Sequence, residues 1–326
     1  MSGAASRLVK ILTQQETSEF GFGNTGNGKG QRILNKDGSA NIIRKGDDSF
    51  TPVNIYHSLI TMSWWKFMLL ILFYYIIINF LFTLVYFYLT PNHLAGMIYA
   101  NEFERFEECF FFSAQSLTTV GYGRINPVGL MASSIASLEA LIGLLGFALA
   151  TGLLYGRFSR PTARLRYSEN ILLSPYSHPE LSKEAPTAYM FRIVNARNNQ
   201  LIEVEALLLF AYNEEQNGKT IRRFQRLKLE VEKINFLAMS WTIVHPVNPQ
   251  SPLYNLSPKD LEELDAEFMV SIKAIDDTYV QQIYARTSYK WEEIIWNAKF
   301  ESMLERHPGK PLTLDLNKLS VYHTAE

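Results

Sequence analysis

The stretch Thr118-Thr119-Val120-Gly121-Tyr122-Gly123 is too short to fold alone, and it places glycine at two alternate positions. Glycine there indicates a backbone with φ > 0, which residues carrying a Cβ resist. Such a backbone can aim successive carbonyl oxygens at one axis, where they replace the water lost by a bound cation. The alternative is an ordinary Gly-Tyr-Gly hairpin turn, and the flanking sequence decides between the two.

Long apolar segments lie on both sides of this stretch. Residues 64–89 carry almost no charge, and a helix of that length, at ~1.5 Å per residue, exceeds the ~30 Å hydrocarbon core of a bilayer. Residues 130–158 form the second such segment. Residues 103–117 predict a short helix with an acidic start, too short to span, whose carbonyl end favours a cation. We name these the outer helix (64–89), the pore helix (103–117) and the inner helix (130–158).

Residues Thr119 to Gly123 also spell the filter pentapeptide of potassium channels. This resemblance implies that K⁺ is the permeant ligand, bound at the carbonyl oxygens of Thr119, Val120, Gly121, Tyr122 and Gly123. The chain holds one copy, and one strand cannot encircle an ion. We therefore predict a homotetramer, with K⁺ as its ligand and no cofactor.

Composition excludes several other classes of protein. The formal net charge of −1 gives no support to a nucleic-acid partner. A single cysteine, Cys109, excludes an internal disulfide framework and fits a soluble part in a reducing compartment. The histidines lack metal-ligand spacing, and the glycine-rich residues 21–30 follow no apolar strand, so we predict no enzyme.

The N-terminal part of the chain precedes the first apolar segment. Residues 1–49 predict a flexible cytoplasmic N-terminus, because they are rich in Gly, Ser, Asn and Gln. Within them, residues 31–35 and 41–44 predict a short strand added to the sheet edge of another chain. Residues 50–62 predict an interfacial helix. The start of the chain lacks a signal-peptide pattern, and basic residues precede the first span and follow the second, so we expect both termini in the cytoplasm.

Residues 161–326 have a different pattern of apolar and polar residues from residues 63–160, the predicted pore domain. Apolar and polar residues alternate in runs separated by turn signals, which predicts an antiparallel β-sandwich. Within it, Ser257 and Pro258 predict the N-cap and first residue of a short helix.

Four stretches resemble the inward-rectifier (Kir) potassium channel family, especially its prokaryotic members. They are Tyr56-His57-Ser58-Leu59, Phe158-Ser159-Arg160-Pro161, the run from Ser240 to Tyr254, and Ala285-Arg286-Thr287-Ser288-Tyr289 with Glu293-Ile294-Ile295-Trp296. The resemblance covers residues 32–315. It implies a membrane α plus soluble β fold: a two-transmembrane-helix potassium-channel pore with re-entrant pore helix and filter, followed by a cytoplasmic immunoglobulin-like β-sandwich. It also implies an integral protein of the bacterial inner membrane.

The same resemblance implies roles for residues around the filter. Gln115 supports the filter together with Thr118, at the position where eukaryotic members usually carry a glutamate that pairs with an arginine. An ion pair of that kind with Arg124 is therefore not expected. Phe147 occupies the cavity position where strong rectifiers place aspartate, so we predict weaker block by internal polyamines or Mg²⁺ and less steep rectification.

Two further residues of the inner helix are candidates for a role in the pore. Glu139 lies roughly 80° around the helix from Phe147, and two roles stay open for it: facing the cavity or supporting the filter. Gly143 either permits close packing or acts as a hinge.

Other candidates lie on the cytoplasmic side. Leu154 and Tyr155 match the constriction that gates relatives, although Tyr155 also suits a membrane interface. Glu203 and Asp277 match acidic positions of the cytoplasmic pore, where carboxylates concentrate cations, with solvated strand positions as the alternative. Four arginines predict binding of anionic lipids or simple positive-inside topology: Arg157, Arg160, Arg164 and Arg166.

Together these patterns predict a tetrameric, potassium-selective channel of inward-rectifier type, gated by the cytoplasmic domain and membrane lipids. One alternative is a subunit of a potassium uptake transporter, but such proteins normally hold four degenerate pore copies in one chain. The other is a membrane-anchored β-sandwich that binds a protein partner, which leaves residues 118–123 unexplained.

Overall fold

The computed structural model describes residues 31–43, 52–89, 92–160, 163–176, 186–216, 218–309 and 311–325. The chain divides into two compact units. The membrane unit comprises Lys45–Arg160, and the cytoplasmic unit combines Met1–Arg44 with Pro161–Glu326.

Four helices build the part of the membrane unit that the structure describes. They are the interfacial helix Pro52–Thr61, the outer helix Trp64–Leu89, the pore helix Glu102–Leu117 and the inner helix Leu130–Phe158. The outer and inner helices are each long and apolar enough to cross a membrane. Two short antiparallel strands, β1 (Leu94–Ala95) and β2 (Asn126–Pro127), join the segments that precede the pore helix and follow the filter.

The pore helix begins at a capped N-terminus. The side chain of Asn101 accepts a hydrogen bond from the backbone N–H of Glu104 at 2.9 Å, and the Glu104 carboxylate accepts one from the N–H of Ala100 at 2.6 Å. Its apolar face packs on the outer helix, where the rings of Tyr86 and Phe112 meet edge to face with centroids 5.0 Å apart. The pore helix is thereby held against the outer helix.

The described part of the cytoplasmic unit consists mainly of strands. In chain order they are β3 (Leu165–Tyr167), β4 (Ile171–Pro175), β5 (Thr187–Asn195), β6 (Leu201–Gln216), β7 (Lys219–Leu227), β8 (Lys233–Leu237), β9 (Ser240–Val247), β10 (Glu267–Asp276), β11 (Gln281–Lys290), β12 (Ile294–Trp296), β13 (Ala298–Phe300), β14 (Leu304–Glu305), β15 (Thr313–Leu314) and β16 (Tyr322–Thr324). One five-stranded sheet has the order β11-β10-β6-β7 with β8 on β6, and the other has the order β12-β4-β5-β3 with β9 on β5.

The two large sheets share one apolar core. Tyr189 of β5 stacks on Phe268 of β10 with ring centroids 5.6 Å apart, and Phe210 of β6 packs beside them. Alternate residues of each strand point into this core because the side-chain period of a strand is two. The named strand pairs are antiparallel except β4 with β12. The predicted fold class, a membrane pore domain followed by a β-sandwich, is confirmed.

A short helix, Pro258–Glu263, interrupts the strands. Ser257 is its N-cap and forms a capping box with Asp260, and Pro258 stands at its first turn, as the sequence predicts.

The structure corrects the prediction for the N-terminus. Residues 31–43, expected to be flexible or to join the sheet edge of another chain, instead lie on the cytoplasmic unit of their own chain. Leu34 and Ala40 form one isolated antiparallel bridge, so the segment makes a tight loop rather than a strand within a sheet. The reason is burial of Ile33 and Leu34 against apolar side chains of β6, β7 and β10. Residues 1–30 and 44–49 of the predicted flexible region lie outside the described residues.

Candidate ion-conduction site

The filter backbone has a positive φ at every second residue. The φ angles are 60° at Thr119, 53° at Gly121 and 86° at Gly123. Glycine adopts this left-handed backbone conformation at little cost. For a β-branched threonine the same conformation costs of order 1–3 kcal/mol and has to be stabilised by surrounding contacts. The sequence predicts a positive φ at the two glycines, whereas the positive φ of Thr119 is visible only in the structure.

Backbone hydrogen bonds tie the start of the filter to the end of the pore helix. The N–H of Thr119 donates to the carbonyl of Ser116 at 3.1 Å, and the N–H of Val120 donates to the carbonyl of Gln115 at 2.9 Å. The Thr118 hydroxyl donates to the carbonyl of Ala114 at 2.7 Å. Of the two residues predicted to support the filter, Gln115 contacts Val120 through its backbone carbonyl, and the Thr118 hydroxyl bonds to the pore helix.

One face of the filter is open within a single chain. Tyr122 is 80% exposed, and a Cβ added at Gly121 or Gly123 would meet no atom of the described chain within 4 Å. At the outer end, the Asn126 side chain donates to the carbonyl of Gly123 at 2.9 Å. Within the described residues, this face of the filter stretch is therefore left uncovered by the chain itself.

The inner helix touches the carboxyl end of the pore helix at Gly143. A Cβ built at this glycine would lie 1.9 Å from the carbonyl oxygen of Leu117, a distance too short for any side chain at this position. Two roles were considered for Gly143, close packing and a hinge. This contact supports close packing. That contact sits one residue before the filter stretch.

The carboxylate of Glu139 is buried behind the pore helix. It accepts hydrogen bonds from the Tyr86 hydroxyl of the outer helix at 2.6 Å and from the Ser113 hydroxyl of the pore helix at 2.5 Å. Ser113 also lies 3.2 Å from Oδ1 of Asn79. The network joins the outer, pore and inner helices. No pattern in the sequence links Tyr86, Ser113 or Asn79 to Glu139.

Arg124 follows the filter and pairs with Glu108, not with the position of Gln115. Its Nη2 lies 2.7 Å from Oε2 of Glu108 on the pore helix, and its Nη1 donates to the carbonyl of Gly96 at 3.3 Å. The partner of Arg124 was not predicted from the sequence.

Arg157 contacts the interfacial helix and the start of the outer helix of its own chain. Its guanidinium donates to the carbonyls of Leu59 and Met62, both at 2.6 Å. It also lies 4.7 Å from the ring centroid of Trp64 and 4.5 Å from that of Phe67. The last carbonyls of a helix lack partners within it and attract a cation, so Arg157 caps the interfacial helix from the inner helix. Its two Nη atoms thus each donate to a carbonyl of the chain, whereas Nε is buried without a hydrogen-bond partner among the described residues.

The residues predicted for the cavity and the gate lie on the inner helix. Phe147 and Tyr155 are 73% and 74% exposed on the inner helix, and Leu154 is half-buried. Of the four arginines predicted to bind lipid, three are exposed, one in the membrane unit and two in the cytoplasmic unit: Arg160, Arg164 and Arg166.

Glu203 and Asp277 lie at one end of the β6–β10 pair. The register of this pair shifts between Lys273 and Ile275, and Glu203 occupies the resulting bulge with φ 50°. Its carboxylate pairs with Lys233 at 3.1 Å, and that of Asp277 accepts from the N–H of Gln200 at 3.1 Å. The cation beside Glu203 was not predicted.

Comparisons with known proteins match both units. The sequence profile described as Ion channel matches residues 69–160, and that described as Inward rectifier potassium channel C-terminal domain matches residues 182–325. The inward rectifier potassium channel Kirbac3.1 of Paramagnetospirillum magnetotacticum is 36% identical over 290 residues, which is 88% of this chain and 94% of that protein. The inward rectifier potassium channel irk-1 of Caenorhabditis elegans is 26% identical over 203 residues, 60% of this chain and 37% of that protein.

The fold and the filter therefore define a membrane potassium channel with two spanning helices and a cytoplasmic β domain. The chain belongs to the inward-rectifier potassium channel family. It is a K⁺ channel of inward-rectifier type, not an enzyme, and K⁺ is the ion that this family conducts. The transporter and anchored-sandwich alternatives are not favoured.

Proposed function

We propose that four copies of this chain surround one axis and conduct K⁺ through stacked rings of the carbonyl oxygens of residues 119–123. The observation that carries this proposal is the open face of the filter, whose alternate residues Thr119, Gly121 and Gly123 have positive φ. Four such walls would replace the hydration shell of an ion, which a single wall cannot do.

The proposed setting is the bacterial inner membrane, with both termini in the cytoplasm. The arginines that follow the inner helix support this orientation, because basic residues accumulate on the cytoplasmic side. Arg160, Arg164 and Arg166 are the proposed contacts for anionic lipids, since their side chains are exposed. Leu154 and Tyr155 form the proposed constriction at the cytoplasmic end of the inner helix.

The cytoplasmic unit extends the proposed conduction path and controls it. Glu203 and Asp277 are the proposed acidic ring that concentrates K⁺, although Lys233 neutralises part of the charge of Glu203. Internal polyamines and Mg²⁺ are the proposed blockers. With Phe147 in place of a cavity carboxylate, their block at that site is weak.

Flux from liposomes tests the proposal directly. Purified protein should form a tetramer by native mass spectrometry, take up Rb⁺ and K⁺ far faster than Na⁺, and be blocked by Ba²⁺. Gly121→Ala should abolish uptake, because a Cβ at φ 53° is strained in the filter. Gly152→Ala is the matched control, since an added methyl there meets no described atom within 4 Å. Equal Na⁺ and K⁺ uptake would contradict selectivity.

A further inference from the structure

The carbonyl of Gly123, the last residue of the filter, accepts a hydrogen bond from a side chain three residues further along the chain. Nδ2 of Asn126 lies 2.9 Å from this carbonyl oxygen. Gly123 has φ 86°, and a Cβ added to it would meet no described atom within 4 Å. Glycine permits several orientations of the peptide group at this point, so a donor is needed to select one of them. The amide of Asn126 is placed to do so.

The backbone of Asn126 is itself held in place. It belongs to β2, which pairs with β1, and Ala95 lies opposite it. The N–H of Val128 donates to the carbonyl of His93 at 2.7 Å. Ile125, the preceding residue, is 6% exposed within the apolar cluster that joins the outer and pore helices. A short side chain on a backbone restrained in this way keeps its donor in one position.

The turn between Gly123 and Asn126 also packs against the loop that precedes the pore helix. A Cβ built at Gly96 of this loop would lie 1.9 Å from the carbonyl oxygen of Arg124. The Arg124 side chain pairs in turn with Glu108 of the pore helix at 2.7 Å. These contacts fix residues 124–128 relative to the pore helix, so the donor of Asn126 has a fixed position relative to the filter.

A carbonyl oxygen binds K⁺ only while one of its lone pairs is directed at the ion. Each carbonyl oxygen has two lone pairs. The amide of Asn126 takes one lone pair of Gly123 and leaves the other for a cation. Because the donor is fixed, the direction of the remaining lone pair is fixed as well. In a ring of four such carbonyls, the loss of the donor would disorder all four ligands of one ion.

We propose that Asn126 is a positioning residue for the outermost ring of K⁺ ligands, the four carbonyls of Gly123, and that it sets the affinity of this ring for external K⁺. This inference rests on the proposed function, because the ring exists only in the tetramer. It assigns part of the control of ion binding to a residue outside the filter pentapeptide, residues 119–123. A side chain of the same shape without a donor leaves the ring in place and weakens its hold on K⁺.

Asn126→Leu in the full-length protein tests this role, because leucine has the shape of asparagine and lacks the donor. Asn92→Leu is the matched control, since Asn92 is an exposed asparagine of the same outer region and forms no hydrogen bond with residues 119–123 in the described structure. Currents are recorded in lipid bilayers with Ba²⁺ applied from the inside, and the rate of Ba²⁺ exit is measured at increasing external K⁺. An ion in the outermost ring stands in the path of Ba²⁺ to the outside, so the half-maximal K⁺ concentration that slows this exit reports the affinity of the ring.

We expect Asn126→Leu to raise this half-maximal concentration by about tenfold, the effect of losing the net contribution of roughly one hydrogen bond. Its apparent melting temperature should match that of the parent protein, because the side chain is exposed. Asn92→Leu should change neither quantity. An unchanged half-maximal concentration in Asn126→Leu, or an equal rise in Asn92→Leu, would overturn the role of Asn126.

A second variant decides the matter if the leucine protein does not assemble. Asn126→Asp also lacks the donor and keeps the exposed position polar, and recording at about 1 M ionic strength screens its added charge. The same tenfold rise is expected, and its absence would overturn the proposal. A parent protein without K⁺-selective, Ba²⁺-blocked currents would contradict the proposed function and the ring together. A parent protein that behaves as proposed, beside unchanged variants at position 126, would contradict the role of Asn126 alone.

Discussion

Gly143 of the inner helix packs directly against the carbonyl oxygen of Leu117, the last residue of the pore helix. A Cβ at position 143 would lie 1.9 Å from that oxygen. The position of the filter therefore depends on a missing side chain in another helix, and a methyl group there has to displace the pore helix.

We expect Gly143→Ala to lower the initial rate of Rb⁺ uptake by about tenfold or more, because overpacking by one methyl costs roughly 1–3 kcal/mol and here acts beside the filter. Gly152→Ala on the same helix is the control and should retain uptake. Full activity of Gly143→Ala would show that the two helices separate without disturbing the filter.

Tyr86→Phe tests the buried network behind the pore helix. The change removes one hydrogen bond to Glu139, and we expect it to destabilise the protein by about 1–2 kcal/mol. The apparent melting temperature of the full-length protein in detergent measures this loss. Tyr88→Phe is the control, because Tyr88 is 70% exposed. Equal melting temperatures for the two variants would argue against a supporting role for the network.

Arg157→Lys separates a capping role from a lipid-binding role. Lysine keeps the charge but cannot donate to both carbonyls while stacking on two rings, so we expect altered uptake at every lipid composition. Arg160→Gln, at an exposed position, should instead weaken the dependence of uptake on anionic lipid. If Arg157→Lys changed only the lipid dependence, the capping role would be wrong.

Phe147→Asp tests the cavity position. We expect it to strengthen voltage-dependent block by internal polyamines, because a ring of carboxylates would attract these cations. Leu149→Asp is the control, since Leu149 is similarly exposed and lies about 200° further around the helix. Recordings from lipid bilayers measure the block, and unchanged block in Phe147→Asp would show that this residue does not face the cavity.

His245 gives the cytoplasmic unit a dependence on acid. Burial lowers its pKa to about 4, and the ring donates to the carbonyl of Lys228 while accepting from Ser251. Between pH 6.5 and 4 the unfolded chain binds the proton more readily, so stability falls as the pH drops through that window. The loss attributable to this histidine is about 3 kcal/mol.

Melting temperatures of the full-length protein at pH 7 and pH 4.5 measure this effect. We expect His245→Asn to show a smaller loss on acidification than the parent protein, because the asparagine does not titrate. His323→Asn is the control at an exposed position and should keep the parental loss. An unchanged loss in His245→Asn would assign the acid sensitivity to other groups.

Much of the architecture could be predicted because its signals are local. The two spanning helices follow from uninterrupted apolar length, and the pore helix, starting at Glu102, from its acidic first turn. The sandwich follows from alternation within each strand. Which residues distant in the sequence would contact one another could not be predicted in this way. Glu139 meets Tyr86 and Ser113 across gaps of 53 and 26 residues, and Glu267 meets Ile33 across 234.

The sequence alone determined the ion and the class of channel, because residues 118–123 and the apolar segments around them carry that chemistry in one short stretch. It also placed glycine where the filter backbone has positive φ. The tertiary structure decided how the filter is held and how the N-terminus is anchored. Those outcomes depend on which distant side chains are buried together, as at Gly143 and Leu117, and burial is a property of the folded chain.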